Sequence, residues 1–238
     1  MTYPAIVLKR IKKDLSSLKK EPVVNAAAAP NNGDLTFWDA VIRVPITHQN
    51  TTHVDLHFNI VFPTDYPQSA PSIGFSCSFP YSLGASYVKD DGPLKGKLVL
   101  CMDILGNFDH VHTEWKNNVG SGWSPSYSVS SLLLNLQTIL SELDGSLDPE
   151  DRNKLVDQTE KLFKANPEIF LDIPTTKTRE IAIIASKLSE KGCKFAKEIE
   201  IDQSPIKMQK LLEFESCLLA EAEIDENKPE CFSEKLGL

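Results

Sequence analysis

Leu98-Val99-Leu100-Cys101-Met102-Asp103-Ile104-Leu105 is an apolar stretch inside a segment, residues 77–122, that is otherwise broken by glycines at 84, 92, 96, 106, 120 and 122. An apolar run this short, with turn formers on both sides, reads as a single buried segment with a cysteine in its middle. Connections as long as those around it are functional or structureless rather than ordinary turns.

Upstream, Leu35 to Val44, Val54 to Phe62 and Ser72 to Phe79 are β-prone runs, divided by Pro30-Asn31-Asn32-Gly33, residues 45–52 and residues 63–71. They predict an antiparallel meander of three or four strands, which must be covered on one face by helices. A first helix is available: Leu8, Ile11, Leu15 and Leu18 recur at helical spacing between basic residues, and Glu21-Pro22 stops it. Downstream, Ser124-Pro125 is expected to open a buried helix that carries Val129, Leu132, Leu133, Leu134, Leu136, Ile139 and Leu140, and Asp148-Pro149 a second one to about Asn166. Beyond Pro174 two amphipathic helices are expected, one through Ile181, Ile184, Leu188 and Ile199, the next after Ser204-Pro205 with an acidic end. The fold class is therefore α/β of the α+β kind: a four-stranded antiparallel meander flanked by helices, residues 1–170, with a helical C-terminal extension, residues 171–238.

The chain has 238 residues, with 33 acidic against 25 basic side chains and a net charge of −8. A dedicated nucleic-acid binder would show a basic excess, so protein or small-molecule partners are expected instead. No apolar run approaches the roughly 20 residues that span a bilayer, and no basic stretch precedes an apolar block at the start. A cytoplasmic or nuclear location is expected. The five cysteines, Cys77, Cys101, Cys193, Cys217 and Cys231, are odd in number, widely spaced and form no C-x-x-C pair. They read as reduced thiols rather than a disulfide frame or zinc site.

The order of elements and four local strings resemble the ubiquitin-conjugating enzyme family. Leu8-Lys9-Arg10-Ile11-Lys12-Lys13-Asp14-Leu15 resembles its first helix, and Leu35-Thr36-Phe37-Trp38-Asp39-Ala40-Val41-Ile42 its second strand. Phe62-Pro63-Thr64-Asp65-Tyr66-Pro67, followed by Ala70-Pro71, resembles its strand-exit turn. Cys101-Met102-Asp103-Ile104-Leu105, followed after a gap by Trp123-Ser124-Pro125-Ser126, is similar to its cysteine, tryptophan and Ser-Pro-Ala sequence. The resemblance implies that Cys101 accepts ubiquitin or a ubiquitin-like protein as a thioester from an activating enzyme. A lysine amine then attacks, usually with a ligase holding both partners. No cofactor or metal of its own is expected, since ATP is used by the activating enzyme. Cysteine suits the role because sulfur is a good nucleophile and the thioester keeps its acyl group transferable to an amine.

By the same resemblance Asp148 falls where the family places an acid that orients the attacking lysine; read from its own residues it is equally a helix N-cap before Pro149. Lys9, Arg10 and Lys13, the turn at Pro67 and Gln68, and Trp123, Ser124 and Pro125 fall on the partner-facing surface. The departures are also specific. Phe79-Pro80-Tyr81 stands where the family usually has His-Pro-Asn, and Asp91-Gly92 stands where some divergent members carry Asn-Gly, which makes Asp91 a weak candidate donor. Gln68 replaces a frequent phenylalanine, and residues 106–122 form an insertion holding Asp109, His110, His112 and Glu114. Loss of the His-Pro-Asn string keeps open a second reading, a catalytically silent variant acting as a ubiquitin-binding or regulatory scaffold. A cysteine hydrolase is a third, opposed by the lack of any histidine in a hydrolase motif.

Overall fold

The computed structural model describes residues 2–48, 51–81, 85–105, 122–169 and 173–174. The chain divides into two compact units, Met1–Ile173 and Pro174–Leu238. The first is described here; the two helices expected beyond Pro174 lie outside the described residues, as do residues 106–121 of the insertion.

The first helix, α1, runs from Ala5 to Lys20 and ends where Glu21 N–H closes on Ser17. It buries Val7, Ile11, Asp14 and Leu18, with Lys9, Lys12 and Lys13 exposed. The meander follows as β1 (Ala26–Asn31), β2 (Asp34–His48), β3 (Thr51–Val61) and β4 (Ser72–Phe75). The expected loop after Cys77 adds two short strands, β5 (Ser86–Val88) and β6 (Leu98–Leu100), so the described sheet has six strands in the order β1-β2-β3-β4-β6-β5. Three-residue strands lie below the length at which alternation becomes legible, which is why this hairpin reads as loop.

β1 is built by its turn rather than by its composition. Alanine is a poor strand former. Asn32 and Gly33, however, both take positive φ, 48° and 81°. That is the two-residue hairpin geometry matching strand twist, and it pairs Asn31 with Asp34 and Ala26 with Ile42. Pro30 is tolerated because β1 is an edge strand. β2 reaches His48, past the turn expected from Pro45, and pairs with β3 across ten registered positions, from Phe37↔Val61 to His48↔Thr51.

The inner face of the sheet carries Trp38, Ala40, Ile42, Phe58, Ile60, Ile73 and Phe75 into one core. α2 (Val129–Leu140) supplies Val129, Leu132, Leu133, Leu136 and Leu140 to it. This helix starts later than Ser124-Pro125: Ser128 is the N-cap, in a reciprocal capping box with Ser131. Ser124 to Tyr127 form a turn instead, closed by Tyr127 N–H on Ser124 O at 2.9 Å. The short α3 (Leu143–Ser146) leads to α4 (Pro149–Ala165), which begins and ends close to the expected positions.

An aromatic chain stitches the core to the loop before α2. Trp38 meets Phe62 edge-on at 5.1 Å, Phe62 meets Tyr66 at 4.9 Å, Tyr66 meets Trp123 at 6.0 Å, and Trp123 meets Tyr127 at 5.8 Å. Such pairs contribute about 0.5 to 1.5 kcal/mol each beyond the area they bury. Tyr66 also donates its hydroxyl to Asp14 of α1. Burial pushes the Asp14 carboxyl above its ordinary value, against the opposing effects of the Tyr66 hydroxyl and Arg10.

Candidate active site

Cys101 follows β6 directly. The β5–β6 ladder pairs Ser86 with Leu100, Tyr87 with Val99 and Val88 with Leu98. It is extended at one end by Cys101 N–H donating to Ala85 O at 2.8 Å, and at the other by Lys89 N–H donating to Lys97 O at 3.0 Å. The cysteine backbone is thus fixed by a hairpin rather than left on a loose loop, and Met102 and Leu105 beyond it anchor in the core. Cys101 is 2% exposed and joined in no disulfide, and burial pushes its thiol above the ordinary value of 9.0. At neutral pH the sulfur is held as a thiol.

The same ladder removes Asp91 from this centre. Three residue pairs, and so four steps or roughly 13 Å of strand, separate the Ala85–Cys101 pair from the Lys89–Lys97 pair, and Asp91 lies beyond, in the hairpin turn. There its exposed carboxylate pairs with Lys89 at 3.0 Å, a surface pair of little energetic weight. The antiparallel pairing, invisible in a count of ten residues along the chain, is the reason.

Tyr81 enters the surroundings of Cys101, which the sequence reading did not recognise. Its ring is half-buried against the core. Its hydroxyl is pushed above the ordinary tyrosine value by burial and, second, by the charge of Cys101. The available signal was its place as third residue of Phe79-Pro80-Tyr81, the slot of the family's asparagine. Tyrosine also carries a donor there.

Asp148 is the N-cap of α4: its Oδ1 accepts Asp151 N–H at 2.8 Å. The capping role proposed for it from the sequence is therefore filled, while Oδ2 faces solvent with no hydrogen-bond partner among the described residues.

The residues expected to face a partner converge. Trp123 Nε1 donates to Pro67 O at 2.7 Å, binding the loop before α2 to the turn after β3. Arg10 Nη1 donates to Pro125 O at 2.9 Å and Nη2 donates to Tyr127 O, binding the same loop to α1. Arg10 also pairs with Asp14 at 3.1 Å and lies over the Tyr66 ring at 5.6 Å. It is a half-buried clamp rather than part of a free basic face. Lys9, Lys13, Gln68 and Pro125 are exposed around it, and Ser124 is half-buried with its Oγ 2.8 Å from that of Ser126. Tyr127, 37% exposed, places on this surface an aromatic ring that Gln68 does not.

Among the described residues no group of three or more His, Cys, Asp or Glu is placed to hold a metal, and no helix is long and apolar enough to cross a membrane. Asp109, His110, His112 and Glu114 lie outside the described residues. The sequence matches the family model described as ubiquitin-conjugating enzyme over residues 10–173, from within α1 to just past α4. Among solved structures it is similar to human ubiquitin-conjugating enzyme E2 G1, at 20% identity over 60% of this chain and 99% of that one, with a TM-score of 0.39. A match across that much of the chain means that it belongs to the ubiquitin-conjugating enzyme family.

Proposed function

We propose that this chain accepts ubiquitin or a ubiquitin-like protein on Cys101 from an activating enzyme and passes it to a lysine amine, usually with a ligase. The observation that carries this reading is the seat of Cys101 at the end of β6, tied by its backbone to Ala85. In the first step the Cys101 sulfur attacks the activating enzyme's thioester carbonyl, a new C–S bond forms, and the old thiol leaves with the proton that Cys101 gives up. In the second, a neutral amine attacks the carbonyl, the C–S bond breaks, and the proton the amine loses passes, by way of solvent, to the departing sulfur, which restores the Cys101 thiol. Both steps build negative charge on the carbonyl oxygen, toward which Tyr81 is the donor at hand. Asp148, with one oxygen on its cap, retains the other for the incoming lysine.

Burial of Cys101 and the raised position of its thiol favour the second reading, a silent scaffold of the same fold. A charging assay separates the two: purified chain with activating enzyme, ATP and ubiquitin or a panel of ubiquitin-like proteins, run on a nonreducing gel with and without thiol, beside Cys101→Ser. A thiol-sensitive adduct, absent or thiol-resistant in the variant, is expected. No adduct with any modifier would leave the scaffold reading in its place.

A further inference from the structure

The outer face of the sheet, away from the apolar core, carries a second set of residues with chemistry of its own. Asp39 lies opposite Asn59 in the β2–β3 register, and Asp39, His57 and Asn59 are 9%, 3% and 3% exposed. Asp39 Oδ1 accepts from Asn59 Nδ2 at 2.8 Å and sits 3.1 Å from His57 Nε2, while Oδ2 accepts from Asn31 Nδ2 at 2.6 Å. His57 Nδ1 is 2.7 Å from Ser76 Oγ, which in turn accepts from Lys97 Nζ at 2.9 Å. The hydroxyl proton of Ser76 therefore points to Nδ1 and the Nε2–H points to Asp39. The carboxylate is held by three donors, and Asp39 and these donors line the cavity on this face.

Lys97 is the uncompensated member. It is half-buried, it makes no ion pair among the described residues, and its one polar contact is a neutral hydroxyl. Burial lowers its pKa, against the opposing charges of Asp39 and Cys77. A cavity of about 470 Å³ opens beside it, lined by His57, Asn59, Lys95, Lys97, Leu162 and Asn166 among others. Lys95 is exposed and Asn166 half-buried, and neither side chain has a hydrogen-bond or ion-pair partner among the described residues. Two ammonium groups from the β5–β6 hairpin and an amide from the end of α4 thus face one space with donors unspent.

We propose that this cavity binds a small oxyanion of the phosphate type, held by Lys97 and Lys95 with Asn166 as a neutral donor. Such a ligand supplies the counter-charge that Lys97 lacks, and lysine serves phosphate as a point charge. Asp39 lines the same cavity and is held ionised by His57, Asn59 and Asn31, so the two ammonium groups must outweigh its repulsion of the anion. The cavity exceeds a bare phosphate, which leaves room for the remainder of a phosphate monoester. The site is independent of Cys101 and stands whether or not the chain carries a thioester.

The test uses the full chain with inorganic phosphate as probe, by isothermal titration and by ³¹P line broadening, with chloride at matched ionic strength as the blank. Saturable binding at one site is expected. Lys97→Met should weaken it roughly tenfold or more, as a hydrogen bond to a charged group warrants. Lys95→Met, at an exposed position that leaves the fold intact, should weaken it about threefold or more, and Asn166→Ala similarly. Absence of saturation, or an affinity unchanged in both Lys95→Met and Asn166→Ala, would overturn the proposal even if Lys97→Met failed to fold.

Discussion

The Trp123 indole N–H and the Pro67 carbonyl, 56 positions apart in sequence, meet in a hydrogen bond of 2.7 Å. With the two Arg10 bonds to Pro125 and Tyr127, it makes α1, the turn after β3 and the loop before α2 into one surface held by backbone acceptors. Trp123→Phe keeps an aromatic ring between Tyr66 and Tyr127 but loses the donor, leaving the half-buried Pro67 carbonyl unpaired. The urea midpoint should fall by an amount equivalent to about 1 kcal/mol. Cys101 is seated by the β5–β6 hairpin and not by this bond, so the variant's charging with modifier should persist.

Tyr81→Phe removes a hydroxyl and leaves the ring that packs on the core, so stability should change little. If the hydroxyl is the oxyanion donor, single-turnover discharge of the charged enzyme to free lysine should slow on the order of a hundredfold, in kcat and not in KM. Equal discharge rates in the two proteins would assign Tyr81 to packing alone.

The buried Asp39 network makes stability depend on acid. Burial alone would raise this carboxyl, but hydrogen bonds from His57, Asn31 and Asn59 outweigh it and hold Asp39 below its ordinary 3.8. A carboxyl lowered by folding stabilises the protein above the unfolded value, and this contribution is lost as pH falls through the folded value. Asp39→Asn should therefore be less stable than the wild type at neutral pH, by about 1 to 3 kcal/mol for the disrupted buried bonds. The gap should narrow as pH drops below about 4. Urea unfolding across pH 2 to 7 measures it, and a gap constant with pH would rule out the charged carboxylate as its source.

The helices and long strands were legible because their signals are local. Leu8, Ile11, Leu15 and Leu18 repeat at helical spacing, and the Asn32-Gly33 turn and the β2 and β3 runs carry their own patterns. The start of α2 was misplaced because Ser124-Pro125 and Ser128 are both plausible openings along the chain, and Ser128 prevails through its reciprocal bonds with Ser131. Asp14 and Asp39, polar residues in amphipathic segments, gave no sign of being buried, since their partners Tyr66, His57 and Asn31 come from other elements.

From its residues alone the chain specified a helix-flanked antiparallel meander and a lone cysteine in a short apolar run, because periodicity, turn chemistry and short motifs are read within a few residues. Strand pairing decided which of those residues share a place. It carried Asp91 to the far end of the hairpin from Cys101 and gathered Asp39, His57, Ser76 and Lys97 on the outer face. Such neighbours come from register across strands and from packing between elements, and distance along the sequence carries no record of either.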